Sequence, residues 1–469
     1  MATASEARWF TVLTPRYLGP TVTLCLGVAL LAFNGFLAAT ALPSAVVDLK
    51  GVALMSWATT VFLVFAIMGG TAAAIVKTRL GARMALLVAA LVFIAGSLLA
   101  ALAGGMPELL VGRALQGLGE GVVAAICYAL IPELYPSKLV PRVFGAESVV
   151  WALAAFGGPA LAGVLTETIS WRAAFMVNIP LGLIFIALTL MVVPRRVEAG
   201  NVDRLPMVRL VLIGAAIMAI SVAAVLRDPL PTALCLALAG AGLVAIVRRD
   251  AGAREKLFPT GAFRLNDTVG AGLWVVLLMP VAQAGIAVYL VYALQNLWDF
   301  GATLAGAINA VMAVAWSTMA IAISGVASVP GRHALIRLGP VFLTAGLAAL
   351  ALGVADQALW LVITGQVLLG FGFGASWAYL SQTIMESARP GERDRASGLL
   401  PTIQSAGYGI GAAIAGLIAN MAGLAAAQTA GDIRAAMIVV FASGIAIGIL
   451  AILAARITVR NARRLLATA

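Results

Sequence analysis

The feature that most constrains this chain is a succession of apolar runs with few charges, each about 20 residues long, from one end to the other. A run of that length crosses the hydrocarbon core of a bilayer as an α-helix, because hydrocarbon offers no partner to a backbone amide left unbonded. The runs lack the alternation that a spanning strand requires. An all-α, multi-pass membrane protein is therefore expected. Of 469 residues, 62% are hydrophobic and 10% charged, where a soluble chain carries about 25% charged residues. The first run, Tyr17 to Leu42, is too long for a signal-peptide core and has no cleavage site, so it reads as the first span.

Glycine, proline and charge punctuate the runs into fourteen expected spans: 17–42, 54–76, 82–104, 108–131, 143–165, 173–193, 207–226, 230–248, 269–294, 302–327, 335–354, 358–384, 396–421 and 433–456. With both termini cytoplasmic, the inner segments and adjoining span ends hold 25 of the 30 Lys and Arg residues. The outer segments hold Lys50, Arg172, Arg227 and Arg434, and Arg113 lies inside a span. Each pair of successive loops obeys the positive-inside rule. The net charge of +11 is thus topological, turned toward anionic lipid head groups, and does not mark a nucleic-acid partner. Usage rich in Ala and Arg and poor in Lys suggests a GC-rich bacterial genome, so the inner membrane of a bacterium is the expected location. Cys25, Cys127 and Cys235 lie in apolar runs with neither metal spacing nor pairing. No metal and no cofactor is expected, and the chain is read as a monomer.

Two spans carry an internal echo. Span four contains Gly112, Gly117, Gly119 and Gly121, and span twelve Gly365, Gly370, Gly372 and Gly374, both as G-x-x-x-x-G-x-G-x-G at an offset of 253 residues. The same offset takes Gly145, Gly158 and Gly163 of span five to Gly398, Gly411 and Gly416 of span thirteen. One register across two successive spans points to a duplicated six-helix half, a transporter architecture. The expected division is an N-terminal six-helix bundle at 1–196, an inserted helix pair with a basic linker at 197–266, and a C-terminal six-helix bundle at 267–469.

Four stretches give the chain a resemblance to the major facilitator superfamily and, within it, to the fourteen-helix drug:proton antiporter family. The end of span one, from Asn34 to Pro43, is similar to the family's A-L-P segment, with Asn34 where the family has Asp. The segment from Ala74 to Arg83 is similar to the G-x-L-a-D-R-x-G-r-R loop, with Thr78 at its Asp position; a weaker copy runs from Arg332 to Pro340, with Ile336 there. Arg113, Gln116, Gly117 and Gly119 match the R-x-x-Q-G-x-G motif of span four. Gly157, Gly158, Pro159 and Gly163 resemble the G-P-x-x-G-G antiporter motif, with Ala162 replacing one Gly. Beyond it, Trp171 to Gly182 resembles the W-R-w-i-F-x-i-N-x-P-x-G opening of span six. The resemblance implies a major facilitator fold and assigns gating to Arg79, Gly81 and Arg83, with Glu133 as the partner to test, and to Gly158, Pro159 and Gly163.

Ionisable residues within a bilayer are costly, and so are functional candidates. Glu120 lies about 12 residues into span four, roughly 18 Å along the axis, with Arg113 two turns earlier on the same face and Gln116 placed to bridge at i, i+4. Hydrocarbon disfavours a carboxylate and a neighbouring arginine favours it. A site poised between the two is what coupling to protons requires. Glu147, one turn into span five, is a secondary coupling candidate, with pairing to loop arginines as the expectation. The substrate cavity is expected near the midplane, with Asn34, Trp151, Gln283, Tyr289, Asn309, Trp316, Gln366, Trp377, Gln404 and Tyr408 among its polar and aromatic residues. Few fixed charges fit lipophilic neutral or cationic substrates better than sugars, phosphates or dicarboxylates. The expected function is export of lipophilic or amphiphilic compounds by proton antiport, the partners being substrate, protons and membrane lipids. The alternative is export of a lipid or lipid-linked metabolite on the same scaffold. A membrane enzyme is disfavoured: the one histidine, His333, is placed in a cytoplasmic loop, and no catalytic constellation accompanies it.

Overall fold

A computed structural model of the chain describes residues 12–136, 139–195, 207–226, 228–251, 258–326, 328–389 and 392–468. Arg8, Lys138, Arg196, Arg204, Arg227, Arg254 and Lys256, which belong to the charge pattern above, lie outside them. The described residues are helical nearly throughout and contain no strand. Among the described residues, twelve helices are long and apolar enough to cross a membrane. Many large apolar residues, among them Leu153, Leu183, Leu230, Leu238 and Trp360, are exposed, as a surface solvated by lipid tails allows.

The chain forms two compact units, residues 1–45 with 64–207, and residues 46–63 with 208–469. The first is built from α1 (Pro15–Asp48), most of α2 (Met55–Ala101), α3 (Met106–Leu134), α4 (Val140–Thr168), the short α5 (Trp171–Met176) and α6 (Asn178–Val192). Its core joins Leu24 and Leu30 of α1, Leu86 and Phe93 of α2, Val123 and Ile126 of α3 and Phe185 of α6.

The second unit contains α7 (Met207–Ala223), α8 (Pro229–Ala251), α9 (Thr268–Leu297), α10 (Ala302–Ile323), α11 (Val329–Ala355), α12 (Leu359–Ser387), α13 (Arg393–Met421) and α14 (Ala430–Thr468). α9 is its enclosed centre, packed against α13 and α14 and, less extensively, against α12 and α10. The α7–α8 pair seats on α13 through Ile220, Ala239 and Ala413. Asn420 of α13 ties this face down: its amide donates to the carbonyls of Ala53 at 2.9 Å and Ala224 at 2.8 Å. Trp57 Nε1 donates to Ser221 O at 2.9 Å.

The expected loop between spans two and three is absent. Helix runs from Met55 to Ala101, broken only at Gly81, whose φ of 76° and ψ of 155° suit glycine alone. One residue without a Cβ replaces a loop, and Thr78 Oγ1 bonds back to Ala74 O as in a continuous helix. The stretch from Arg332 to Pro340 is likewise not a loop. Val329 and Pro330 open α11, and His333 is buried in its early turns instead of lying in a cytoplasmic loop.

The glycine echo corresponds to the same packing in each unit. A Cβ on Gly112 would stand 2.8 Å from Gly96 O and 2.7 Å from Ala100 N; on Gly365 it would stand 2.8 Å from Gly346 O and 3.1 Å from Leu350 N. Gly119 would meet Ala89 O at 2.5 Å and Phe93 N at 2.7 Å, and Gly372 would meet Gly339 O at 2.7 Å and Leu343 N at 2.9 Å. The partners are helix backbone, which cannot rotate away as a side chain can. Glycine here sets the distance between helices, as small residues do where lipid gives no hydrophobic drive to association.

Gly119→Ala and Gly372→Ala are each expected to cost about 1–3 kcal/mol by overpacking. Gly35→Ala, where a Cβ meets nothing within 4 Å, should be neutral or stabilising. Thermal unfolding in detergent checks this, and equal midpoints for all three would remove the packing argument.

Candidate functional site

Spacing on α3 turns Arg113, Gln116 and Glu120 to one side, where α1, α2 and α6 approach. All three are essentially solvent-inaccessible, as are Asn34 of α1, Ser97 of α2 and Asn178 of α6. They form two strings of hydrogen bonds. In the first, Asn178 Nδ2 donates to Asn34 Oδ1 at 2.9 Å, and Asn34 Nδ2 donates to Glu120 Oε2 at 2.9 Å. In the second, Arg113 Nη1 donates to Gln116 Oε1 at 2.8 Å, and Gln116 Nε2 donates to Ser97 Oγ at 2.9 Å. Arg113 lies two turns from Glu120 on the same face of α3.

The expected Gln116–Glu120 bridge is not formed. Gln116 spends its carbonyl on Arg113 and its amide on Ser97, and Glu120 takes its donor from another helix. Asn34, at the position of the family's Asp, is that donor. It cannot carry a proton, but it orients the residue that can. Glu120 Oε1 and Asn178 Oδ1 are buried and lack a hydrogen-bond partner among the described residues. Each string therefore has a definite direction, and the first ends in an open carboxylate oxygen.

Glu147 departs from its expected role. It is 2% exposed, and neither carboxylate oxygen meets a donor among the described residues. The expected pairing with loop arginines is therefore not formed among the described residues. On the same helix, a Cβ on Gly158 would meet Phe36 Cβ at 2.7 Å. The G-P segment with Pro159 thus packs on the stretch of α1 that carries Asn34, while Gly163 is buried four residues on.

Among the other expected gating residues, Glu133 pairs with Lys77 and not with Arg79 or Arg83. Arg79 is exposed, and Arg83 is half-buried with its Nε lacking a partner among the described residues. Lys77, four residues before the break at Gly81, is the basic residue that reaches Glu133.

Of the expected cavity residues in the second unit, Gln283 Nε2 lies 3.3 Å from Met312 Sδ, and Gln366 Nε2 donates to Asn309 O at 3.1 Å. Both leave a buried carbonyl oxygen without a partner among the described residues. Trp316 stacks on Phe373 at 4.9 Å between centroids. Gln404, Tyr408 and Trp377 are partly buried, Tyr289 is fully so, and Trp151 in the first unit is 41% exposed. Two members of the polar cluster carried no signal of their own. Ser97 is one hydroxyl in an apolar run. Asn178 stood inside the W-R…N-x-P motif without an assigned role. Arg172 of that motif donates to Ala103 O at 3.0 Å and lies over the Trp171 ring, fixing the entry to α5 and α6.

The Major Facilitator Superfamily profile matches residues 24–412. A probable multidrug-efflux transporter of Mycobacterium tuberculosis is 32% identical over 468 residues, covering 94% of this chain and 96% of the relative. Among solved structures, a peptide transporter aligns with a TM-score of 0.68 at 15% identity over 94% of this chain and 95% of its own. A D-xylose–proton symporter aligns with a TM-score of 0.65 at 15% identity, over 93% and 96%.

Asn34→Ala strips Glu120 Oε2 and the Asn178 amide of partners in a buried site, and should cost about 1–3 kcal/mol of stability. Lys77→Met breaks an ion pair whose Glu133 side is 41% exposed, and should cost less than about 1 kcal/mol. Unfolding midpoints in one detergent rank the two; the reverse order would contradict the assignment of the buried string as structural support for Glu120.

Proposed function

Because this chain belongs to the major facilitator superfamily, and so is a transporter and not an enzyme, we propose that it exports lipophilic or amphiphilic small molecules by proton antiport through alternating access. One observation carries the reading. Glu120 is enclosed within a spanning helix, held at one oxygen by Asn34 and open at the other. A carboxylic acid so placed exchanges a proton when water reaches its open oxygen. It feels the compensating charge of Arg113 in one state more than in the other. Asn34 and Asn178 are positioning residues for this step, and Glu147 is a second enclosed acid on the adjoining helix. Export is supported by the relative described as a multidrug-efflux transporter.

The proposal keeps fourteen spans, arranged as six, two and six, with boundaries at 196 and 266. α2 has 47 residues, about 70 Å of helix against a hydrocarbon core of about 30 Å. It accommodates two crossings that meet at Gly81. α7, whose described apolar part is Gly214–Ala223, supplies the other. The charge bias of the sequence supports cytoplasmic termini in a bacterial inner membrane, and the chain acts as a monomer.

A second reading, export of a lipid or lipid-linked metabolite, is favoured by Asn34 and Thr78 at positions where the similar family carries carboxylates. It is also favoured by the scarcity of fixed charge among the candidate cavity residues.

Reconstituted vesicles with an imposed pH gradient decide between these readings. Wild type should drive a lipophilic cation against its gradient. Glu120→Gln should lose the response to pH, by 10-fold or more in initial rate, while still exchanging substrate. Glu147→Gln should retain a measurable response. If Glu120→Gln pumps like wild type, Glu120 is a structural residue and proton antiport through it is excluded. Movement of a fluorescent lipid but not of the cation would establish the second reading.

A further inference from the structure

α14 is longer than its task in the bilayer requires. Its 39 residues span roughly 58 Å, and its final turns hold four arginines: Arg456, Arg460, Arg463 and Arg464. With Arg337 of α11 and Val459 they line an open cleft of about 540 Å³. No acidic side chain lines this cleft among the described residues.

The extension is not a fraying end. On the side away from the cleft, Ala455 and Ala462 are buried, and Asn461 Nδ2 donates to Leu265 O at 2.9 Å. On the cleft side, Ile449, Leu453, Arg456, Arg460 and Arg463 follow one another at steps of four, three, four and three. This places them in one helical stripe. Ile449 and Leu453 are exposed, and on α11 Leu338 and Val341 are exposed beside Arg337. α14 thus presents apolar side chains and then, along the same face, guanidinium groups, and on α11 Val341 lies one turn from Arg337, so that the guanidinium groups of both helices converge on one space.

That sequence of surfaces fits an amphiphile with an acidic head. Guanidinium groups bind phosphate oxygens in pairs, with charge reinforcing the hydrogen bonds. Positive-inside topology alone requires basic residues near this end. It requires neither their convergence from two helices on one cavity nor an apolar stripe leading into it. We propose that the α11–α14 cleft is a binding site for the phosphate head group of an anionic phospholipid, taken from the leaflet that this end of the helices faces, with its acyl chains along Ile449, Leu453, Leu338 and Val341. The bound lipid clamps α11 to α14 within the second unit.

The test uses the full-length protein in detergent. Wild type is titrated with a phospholipid bearing two phosphates, with phosphatidylcholine and with inorganic phosphate. Bound lipid is counted by native mass spectrometry, and the unfolding midpoint is followed in parallel. The two-phosphate lipid should be retained and should raise the midpoint, while phosphatidylcholine and inorganic phosphate do neither. Arg337→Gln, at one wall, should weaken retention about 5-fold, and Arg337→Gln with Arg460→Gln and Arg463→Gln about 100-fold, at roughly 5-fold per arginine. Arg248→Gln with Arg249→Gln, exposed at the end of α8, is the control for generic attraction and should bind like wild type. These arginines are exposed, so the variants fold, and their midpoints without lipid verify it. Equal losses in the control and the triple variant would overturn the site, leaving surface charge alone. Inorganic phosphate binding as tightly as the lipid would overturn the lipid assignment in favour of a free anion.

Discussion

Hydrocarbon supplies no hydrogen bonds, and this constraint governs every level of the structure. It forces the backbone into helices and leaves long apolar faces exposed. It also makes each enclosed polar atom depend on another polar atom of the chain. The cluster on α3 shows the consequence. Arg113, Gln116, Glu120, Asn34, Asn178 and Ser97 come from four helices, yet are joined into two strings whose donors and acceptors are matched nearly one for one. The exceptions are informative, because an oxygen left open in such a place is either costly or used.

Helix separation is the second layer. A polar string between helices forms only when the helices stand close enough for short side chains to meet. In the first unit Gly112 and Gly119 bring α3 against α2, and Gly158 brings α4 against the turn of α1 that carries Asn34. In the second unit Gly365 and Gly372 reproduce the α3 contacts on α12 with α11, but the polar residues do not follow. At the offset that relates the glycines, Arg113 corresponds to Gln366 and Glu120 to Phe373. The glycine packing recurs and the ionisable cluster does not: at the corresponding place the second unit carries aromatic and amide groups, such as Trp316 on Phe373 and Gln283.

Asn34 changes what the same frame does. A carboxylate there would face Glu120 across the distance now bridged by an amide, and two acids would compete for one proton. The amide donates to Glu120 at one end and accepts from Asn178 at the other. A single titratable group remains, with fixed orientation. A departure from the family pattern thus leaves Glu120 of α3 as the one carboxylate in this string.

Much of this was legible in the residues alone. The helical, multi-pass character follows from the length of the apolar runs, because bilayer thickness fixes that length, whereas fourteen spans were expected and twelve candidates are found among the described residues. The glycine register predicted the repeated packing, because a missing Cβ has one physical use in a close helix pair. Glu120 and Arg113 stood out because charge is rare at that depth. What the sequence could not decide is which polar groups meet across helices. Gln116 is four residues before Glu120 and does not bond it; Asn34 is 86 residues away and does. Glu147 is buried without the arginine partner it was expected to have among the described residues, and one residue, Gly81, does the work of an entire loop. Helical spacing reports the face on which a side chain lies. Only tertiary packing sets the rotation and depth of the neighbouring helix, and so selects the partner.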